Sequence, residues 1–395
     1  MTTDEKAINE ILTRGVTHAI EKDHLKKALL SGKKLRIKHG IDPTGPKLHI
    51  GRGVVLWALR KFQDMGHTVV LIVGDFTAQI GDASDKDSQR QPLTPEQVQK
   101  NLVHYKDQLG KIIDLDKAEL HYNSEWLGKT SGQEILEGAM EFTVAQMIER
   151  ENFRDRFKAG KPIGMHEFLY PVLQGLDSVA IKADLEVGGN DQLFNLLAGR
   201  VLQKRRGQKP QDVLTWELLE GTDGRKMSTS WGNVILIEDA PEEMYGKIMS
   251  IKDDLIIRYF TLATDVPMDE VKNQEKSLKN GANPRNIKAM LAHAVVERYY
   301  GKKLAKEAAE EFDRIFKNKE TPSEILEFKY KKGEKLVDAL VASGVVSSKS
   351  DGRRLIQQGG IKDEGKTITD IDYKLESGTH TVKVGKRRFV ELSES

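Results

Sequence analysis

The sequence predicts an α/β protein in which residues 1–240 form a doubly wound parallel sheet, followed by a helical domain over 241–330 and a small α/β domain over 336–395. Three observations predict this. Strand-like and helix-like segments alternate through the first two-thirds, the pattern of parallel strands joined by right-handed helical crossovers. After about Pro241 the strand signal fades, and helix formers with charges at helical spacing continue to about residue 316. From Leu336 a different unit begins, with two short helices and then short strands punctuated by turns.

The elements follow in order. Leu35-Arg36-Ile37 starts a short strand that ends at Gly40. A loop holding Pro43, Gly45 and Pro46 comes next, and a helix begins near Gly51. Its apolar positions Val55, Ala58, Leu59 and Phe62 repeat at helical spacing. Gly66 is placed to stop it, because glycine accepts the left-handed conformation that ends helices. Thr68 to Val73 is a continuous β-branched, apolar run, as expected of a strand covered on both faces. Residues 95–165 read as a mainly helical insertion. A second strand-to-helix unit appears at Leu185-Glu186-Val187-Gly188-Gly189, with Asn190 expected to cap a helix carrying Leu193, Leu196, Leu197 and Val201. Residues 317–335, rich in Lys and Glu and containing Pro322, read as a linker with room for one helical turn. In the last unit, helices flank Ser347-Ser348-Lys349-Ser350, the second stops at Gly359-Gly360, and turns fall at Glu364-Gly365 and Gly385-Lys386.

Composition narrows the function classes. The chain has 395 residues, 62 Lys+Arg against 60 Asp+Glu, 38% hydrophobic residues and no cysteine. That excludes disorder throughout, a disulfide framework, a thiolate metal site and a cysteine nucleophile. No apolar run approaches the roughly 20 residues that span a bilayer, and the first residues lack the apolar stretch of a signal peptide. The expectation is a cytoplasmic globular protein without a membrane segment. Net charge is only +2, so any nucleic-acid surface must come from local clustering, as at Arg353-Arg354 and Lys386-Arg387-Arg388.

Two segments carry candidate chemistry. The first is Asp42-Pro43-Thr44-Gly45-Pro46-Lys47-Leu48-His49-Ile50-Gly51-Arg52-Gly53, between a strand and a helix. Free N–H groups and the positive dipole end of a helix attract anions, and His49 and Arg52 would add donors suited to charge developing on phosphorus. The same residues equally suit an ordinary strand-to-helix turn with a surface histidine. The second is Gly224-Arg225-Lys226-Met227-Ser228-Thr229-Ser230, a basic, hydroxyl-rich loop in which Lys226 offers a compact point charge. Alone, it is a common kind of surface loop.

Taken together, in this order and inside an alternating α/β region, the pair resembles the HIGH and KMSKS signatures of class I aminoacyl-tRNA synthetases. Tyr170-Pro171-Val172-Leu173-Gln174-Gly175-Leu176-Asp177 and Gly188-Gly189-Asn190-Asp191-Gln192 resemble the YPxLQxxD and GGxDQ segments of the bacterial tyrosyl enzymes. The tail resembles the small RNA-binding domain shared with ribosomal small-subunit protein four. The resemblance covers the chain from near its start to its end.

The resemblance implies a Rossmann-like catalytic domain, a helical anticodon-side domain and a C-terminal RNA-binding domain. It implies tyrosine–tRNA ligation: L-tyrosine and ATP give tyrosyl-adenylate and pyrophosphate, and the tyrosyl group passes to the 3′-terminal adenosine of tRNA(Tyr). Magnesium would travel with the nucleotide, with no metal site on the protein, and the chain would be a homodimer. His49, Arg52 and Lys226 would be catalytic. Asp42, Thr44, His49, Gly51, Arg52, Gly189, Asp191, Lys226, Ser228 and Thr229 would bind ATP, with Gly189 and Asp191 at the ribose. Asp82, Tyr170 and Gln174 would take the ammonium group of tyrosine, Gln192 would lie near its carboxylate, and Asp177 would accept from the phenol, with Asn123 at the pocket's edge. Lys86 and Arg90 would be mobile phosphate contacts, and Arg353, Arg354, Lys386, Arg387 and Arg388 would meet tRNA.

Three positions depart from the family pattern. The signature histidine becomes Arg52, which forks two hydrogen bonds but is never a neutral imidazole. The second signature lysine becomes Thr229, with Arg225 as a possible substitute charge. Lys38 stands where many members have a tyrosine that touches the substrate phenol. On residue pattern alone Tyr170 suits a core position, Asp177 a cap or surface charge, and Trp57, Trp126, Trp216 and Trp231 packing, while His39 would be at most a neighbour of the ribose. Rival readings are a tryptophanyl-tRNA synthetase, disfavoured by Gln174 and the tail; a plain nucleotidylyltransferase; and a non-catalytic RNA-binding relative, disfavoured by His49, Lys226 and Asp191.

Overall fold

A computed structural model describes the chain except residues 83–92, 229–230, 317–325 and 386–387. It divides into two compact units, residues 1–305 and 306–395.

The first unit is built on a six-stranded sheet: β1 (Val16–Ile20), β2 (Arg36–Ile41), β3 (Thr68–Val73), β4 (Glu119–Tyr122), β5 (Leu185–Gly189) and β6 (Asp212–Trp216). Their spatial order is β1-β6-β5-β2-β3-β4, with β1 antiparallel and the rest parallel. The parallel, doubly wound sheet expected from sequence is present. From β2 the chain winds outward through β3 and β4, then crosses back to place β5 on the other side of β2. The strand order therefore reverses between β2 and β5, and loops leaving their carboxyl ends part to open a crevice.

The strands form where the sequence is apolar on both faces. Five of the six residues of β3 are buried, and β6 is buried throughout. The helix Ile50–Asp64 lies in the crossover from β2 to β3 and buries Val55, Ala58, Leu59 and Phe62 as its spacing predicts. Burying each large side chain contributes roughly 1.5–3 kcal/mol. Gly66 ends it at φ 98°. The crossover to β5 is mostly helical, but it also contains β4, which completes the edge of the sheet. The long helix Met165–Ile181 closes the crossover, and a buried Arg156–Glu167 pair (2.8 Å) anchors its first turn to the helix Glu151–Lys158.

One expectation at β5 is corrected. Asn190 does not cap the following helix; Asn190–Gln192 form a 3-10 turn, and Gln192 occupies the cap position before Leu193–Arg205 without a side-chain cap bond. From Pro241 the chain is helical: Pro241–Met249, Ile256–Ala263, Met268–Lys279 and a long helical run from Pro284 that breaks at Gly301 (φ 83°, ψ 168°). Tyr299 from this run packs edge-on against Trp57 of the 50–64 helix at 5.6 Å.

The second unit holds a five-stranded sheet: β7 (Leu326–Tyr330), β8 (Ile361–Asp363), β9 (Lys366–Thr367), β10 (Thr379–Val384) and β11 (Arg388–Glu394), in the order β7-β11-β10-β8-β9. Helices Leu336–Ala342 and Lys349–Gln357 enclose a core of Tyr330, Leu340, Ile356, Val382 and Leu392. Ser348 caps the second helix, and Glu364 and Gly365 both take positive φ in the β8–β9 turn. The linker expected over 317–335 is corrected: it contains strand β7, Leu326–Tyr330, parallel to β11. That partner lies some sixty residues later in the chain, so local composition could not reveal the pairing.

Candidate active site at the sheet switch point

The loop that leaves β2 is held by side chains from distant elements. Gln108, wholly buried, accepts from the Leu48 N–H (2.6 Å) and donates to the Pro46 carbonyl (2.9 Å). Asn101 donates to the Pro43 carbonyl (2.8 Å). Arg52, in the first turn of the helix, reaches back to the Asp42 carbonyl (3.4 Å) and the Thr44 hydroxyl (3.3 Å). These contacts leave His49 at the helix N-cap position, with its side chain making no cap hydrogen bond.

The second signature segment converges on the first. After residues 226–233 the chain runs alongside residues 48–50: Ile50 N–H donates to the Ile235 carbonyl (2.9 Å) and Ile237 N–H to the Leu48 carbonyl (2.9 Å). Met227 lies against Gly51, where an added Cβ would stand 3.3 Å from its sulfur and 2.9 Å from His49 Nδ1. Only glycine fits this approach. Buried Asn233 fixes the loop by accepting from the Ser228 N–H (2.8 Å) and donating to the Lys226 carbonyl (3.0 Å) and to Asp223 (2.8 Å). Hydrogen bonds from Asn233 and Arg225 hold the Asp223 carboxyl far below the usual carboxylate range. Arg225 itself pairs with Asp223 and lies over the exposed Trp231 ring at 4.7 Å.

Charge at the crevice follows from this convergence. Lys226 Nζ lies 3.5 Å from Asp191, just past β5. Gly189 permits that carboxylate to fold close, since a Cβ there would meet Asp191 Oδ1 at 2.6 Å. Burial first, and then the positive charges of Arg52 and Lys226, push His49 down to about 3. Its imidazole is therefore neutral at physiological pH, and its buried Nδ1 has no hydrogen-bond partner. His39 is likewise lowered, to about 4, chiefly by burial, and its ring N–H donates to the Val187 carbonyl (2.9 Å). His39 thus joins β2 to β5.

Beside this anion-suited end lies a polar network. Tyr170 and Thr77 donate to the two oxygens of Asp42 (2.9 and 2.7 Å), and Asn123 donates to Thr77 (3.0 Å). Asn123 also donates to Asp177 (3.4 Å), whose other oxygen accepts from Trp126 Nε1 (2.8 Å). Burial pushes Asp177 up to about 7, opposed chiefly by Lys38. Gln192 donates to Asp82 (2.7 Å), and Arg150, stacked between Phe153 and Phe194, stands 4.0 Å from Asp82. Gln174 donates its amide to Glu186 (3.0 Å), in the same buried cluster as Lys38.

The structure therefore gathers His49, Gly51, Arg52, Asp42 and Thr44 with Lys226, Asp191 and Gly189, and places Tyr170, Asn123 and Asp177 in one chain of hydrogen bonds. Gln192 is joined to Asp82, and Gln174 to Glu186. Thr229, Ser230, Lys86 and Arg90 lie outside the described residues, as do Lys386 and Arg387. Arg353 and Arg354 are exposed on the helix Lys349–Gln357, and exposed Arg388 donates to the Val345 carbonyl. One tryptophan departs from the packing role expected of it: Trp231 is 55% exposed, whereas Trp126 packs against the core and also donates to Asp177. The hydrogen-bonding roles of Gln108, Asn233 and Trp126 escaped the sequence reading because their partners are distant or lie in irregular loops. The Trp-Gly-Asn turn signal at 231–233 was the one hint. Among the described residues no group of three or more His, Asp or Glu is placed to hold a metal ion, and no helix is long and apolar enough to cross a membrane.

Comparison with known proteins agrees with this geometry. A model of the class I tRNA synthetases (W and Y) matches residues 30–317, and one of the tyrosine–tRNA ligase SYY-like C-terminal domain matches residues 311–390. The tyrosine–tRNA ligase of Thermotoga maritima is 46% identical over 396 residues, covering 100% of this chain and 98% of that protein. That of Carboxydothermus hydrogenoformans is 47% identical over 399 residues, covering 97% of each. Among solved structures, Archaeoglobus fulgidus tyrosyl-tRNA synthetase complexed with L-tyrosine shares the fold at TM-score 0.62 and 20% identity, over 78% of this chain and 100% of that one. A tryptophanyl-tRNA synthetase from Plasmodium falciparum does so at TM-score 0.57 and 15% identity, over 78% of this chain and 89% of that one. The chain belongs to the tyrosine–tRNA ligase family of the class I tRNA synthetases.

Proposed function

We infer that this protein is a tyrosine–tRNA ligase, an enzyme that joins L-tyrosine to ATP as tyrosyl-adenylate with release of pyrophosphate and then moves the tyrosyl group to the 3′-terminal adenosine of tRNA(Tyr). The observation that carries the reading is the meeting of His49 with the Lys226–Asp191 pair at the sheet switch point, next to a pocket holding Asp82, Tyr170 and Asp177.

The carboxylate of tyrosine is already ionised at neutral pH, so its attack on the α-phosphorus needs no general base. What it needs is alignment and stabilisation of phosphoryl charge. Neutral His49 donates a ring N–H, Arg52 braces the loop and adds positive charge, and Lys226 follows the pyrophosphate as the bridging P–O bond breaks. Gly189 and Asp191 hold the ribose, with Asp42, Thr44, Gly51 and Ser228 around the nucleotide. ATP arrives with its magnesium as one substrate. Asp82, Tyr170 and Gln174 address the ammonium group, Gln192 lies toward the carboxylate, and Asp177, with two oxygens already oriented by Trp126 and Asn123, accepts from the phenol. A site built to bond a hydroxyl rejects the analogue lacking it, because its own polar group is left unpaired; the tyrosyl enzymes are the established example of that effect.

Residues 1–240 act as the catalytic domain in this proposal, 241–330 as the anticodon-side helices and 336–395 as the RNA-binding domain, with Arg353, Arg354 and Arg388 as tRNA contacts. A homodimer is supported by exposed apolar residues concentrated in the insertion: Leu136, Met140, Val144, Phe157 and Met165 are each at least 62% exposed. The cytoplasm, where translation runs, is the proposed location. ATP–pyrophosphate exchange tests the reading: exchange should depend on tyrosine, while exchange driven by tryptophan, or none with either, contradicts it.

A further inference from the structure

Beneath the helix Met165–Ile181 lies an ion pair that the proposed chemistry does not use. Lys38 of β2 and Glu186 of β5 meet at 2.9 Å with their side chains 0% and 1% exposed. Lys38 also donates to the Gln174 carbonyl and to the Ser178 hydroxyl, each at 2.8 Å. Glu186 receives Gln174 Nε2 (3.0 Å), the Ser178 hydroxyl (3.0 Å) and Gln211 Nε2 besides the ammonium. Glu186 is thus fully occupied and fixes Lys38 in place. A buried pair of this kind is weak support for stability, because desolvation offsets most of the attraction. Its position suggests a different use. Both groups that Lys38 grips on the helix flank Asp177, three residues before it and one after.

We propose that Lys38 is a positioning residue for substrate specificity: from below the helix it supplies the counter-charge to Asp177, so that Asp177 meets the amino-acid side chain as an anion and accepts a phenolic hydroxyl. The inference rests on the reading of Asp177 as the phenol acceptor. The groups around Asp177 are few. Lys38 of β2, bound to Gln174 and Ser178 on either side of it, and Glu186 of β5 bear on it with opposite charges; neutral Asn123 and Trp126 come from the segment after β4, with His121 packed on Trp126 at 5.9 Å; Tyr170 lies on its own helix. Lys38 is the one permanent cation in that set. Burial already places Asp177 near neutrality, at about 7, so losing the opposing positive charge leaves it protonated under working conditions. A protonated carboxyl has fewer free lone pairs for a phenol and loses the charge that strengthens the bond.

The test compares the wild type with Lys38→Met, Lys38→Arg and the double variant Lys38→Met/Glu186→Gln, measuring kcat/KM for tyrosine- and phenylalanine-dependent ATP–pyrophosphate exchange from pH 6 to 9. For Lys38→Met the tyrosine-over-phenylalanine ratio should fall about five- to tenfold at pH 7 and recover toward pH 9, as Asp177 ionises without help. Lys38→Arg should restore most of the ratio. The double variant leaves no unpaired buried charge, so it keeps the test available if the single variant does not fold; because it also removes the Glu186 anion that opposes Lys38, it should show a pH-dependent loss of the same direction but smaller size. A ratio that stays at the wild-type value across the pH range in a folded variant overturns the proposal, as does an equal, pH-independent loss for both amino acids. Asp177→Ala serves as the control on the underlying reading. If it leaves the wild-type ratio intact, the assignment of Asp177 fails; if it abolishes the ratio while the Lys38 variants do not change it, only the role of Lys38 fails.

Discussion

Acid should destabilise the first unit above the ordinary carboxylate range, because three of its histidines are held neutral. The perturbation is a shift from pH 7.5 to pH 5. His39, His49 and His67 are lowered from 6.5 to about 4, 3 and 4, each mainly by burial. Local geometry agrees: His67 Nδ1 accepts from the Leu35 N–H (3.3 Å), and buried His49 Nδ1 has no hydrogen-bond partner. A histidine whose folded value lies below its unfolded value contributes full stability above 6.5 and loses it as the pH falls toward the folded value. Each such group costs about 1.4 kcal/mol per pH unit in that window, so three cost about 4. Asp177 acts in the opposite sense. Its folded value of about 7 lies above the unfolded 3.8, so between those limits the folded state gains about 1.4 kcal/mol per unit as the pH falls. The slope from these four groups is then about 2.7 kcal/mol per unit, or roughly 4 kcal/mol between pH 6.5 and 5, an upper bound because His39 and His49 keep some solvent contact and because burial also raises Asp212 and Asp239, which act in the same sense as Asp177. That is a large share of the roughly 5–15 kcal/mol typical of a domain. Urea titrations followed by tryptophan fluorescence report this unit alone, since all four tryptophans lie within residues 1–305. The midpoint should drop steeply between pH 6.5 and 5. An unchanged or rising midpoint would refute the assignment of buried neutral histidines.

Other consequences concern the two converging loops and the tail. Lys226→Ala should slow adenylate formation about 10²–10³-fold, the scale of one lost donor to transition-state charge, while the tyrosine Kd from equilibrium binding stays within about twofold; equal losses in both would remove the transition-state role. Asn233→Ala takes away three hydrogen bonds that shape the 223–228 loop, so single-turnover adenylate formation should slow about tenfold while Tm falls only a few degrees. A Tm collapse with a normal rate would show that Asn233 is purely structural. A chain ending at Ala305 should retain tyrosine-dependent exchange and lose most transfer to tRNA; collapse of exchange would make the tail part of the catalytic unit's stability.

Much of the catalytic half was legible because its signals are local. The 50–64 helix announced itself by the spacing of Val55, Ala58, Leu59 and Phe62, and β3 by a run of β-branched residues. The two signature loops could be placed in sequence, but their meeting depends on residues 235–237 returning alongside 48–50, which no local pattern encodes. The same holds for β7, whose Lys- and Glu-rich surroundings resemble a linker until β11 pairs with it. Asn190 looked like a cap, yet the 3-10 turn moved the helix start onward to Leu193. Lys38 was visible as a departure at one position. That it is fully buried could be known only once Glu186, nearly 150 residues away, was found beside it.

The most direct test of the convergence of His49 and Lys226 follows one turnover. Wild-type protein is mixed with labelled tyrosine, ATP and magnesium, the bound product is isolated, and tRNA(Tyr) is added. One tyrosyl-adenylate per competent site should form and then pass to the tRNA, and both His49→Ala and Lys226→Ala should accumulate it far more slowly. Adenylate that forms at the wild-type rate in both variants, or a labelled product made only with tryptophan, would contradict the account.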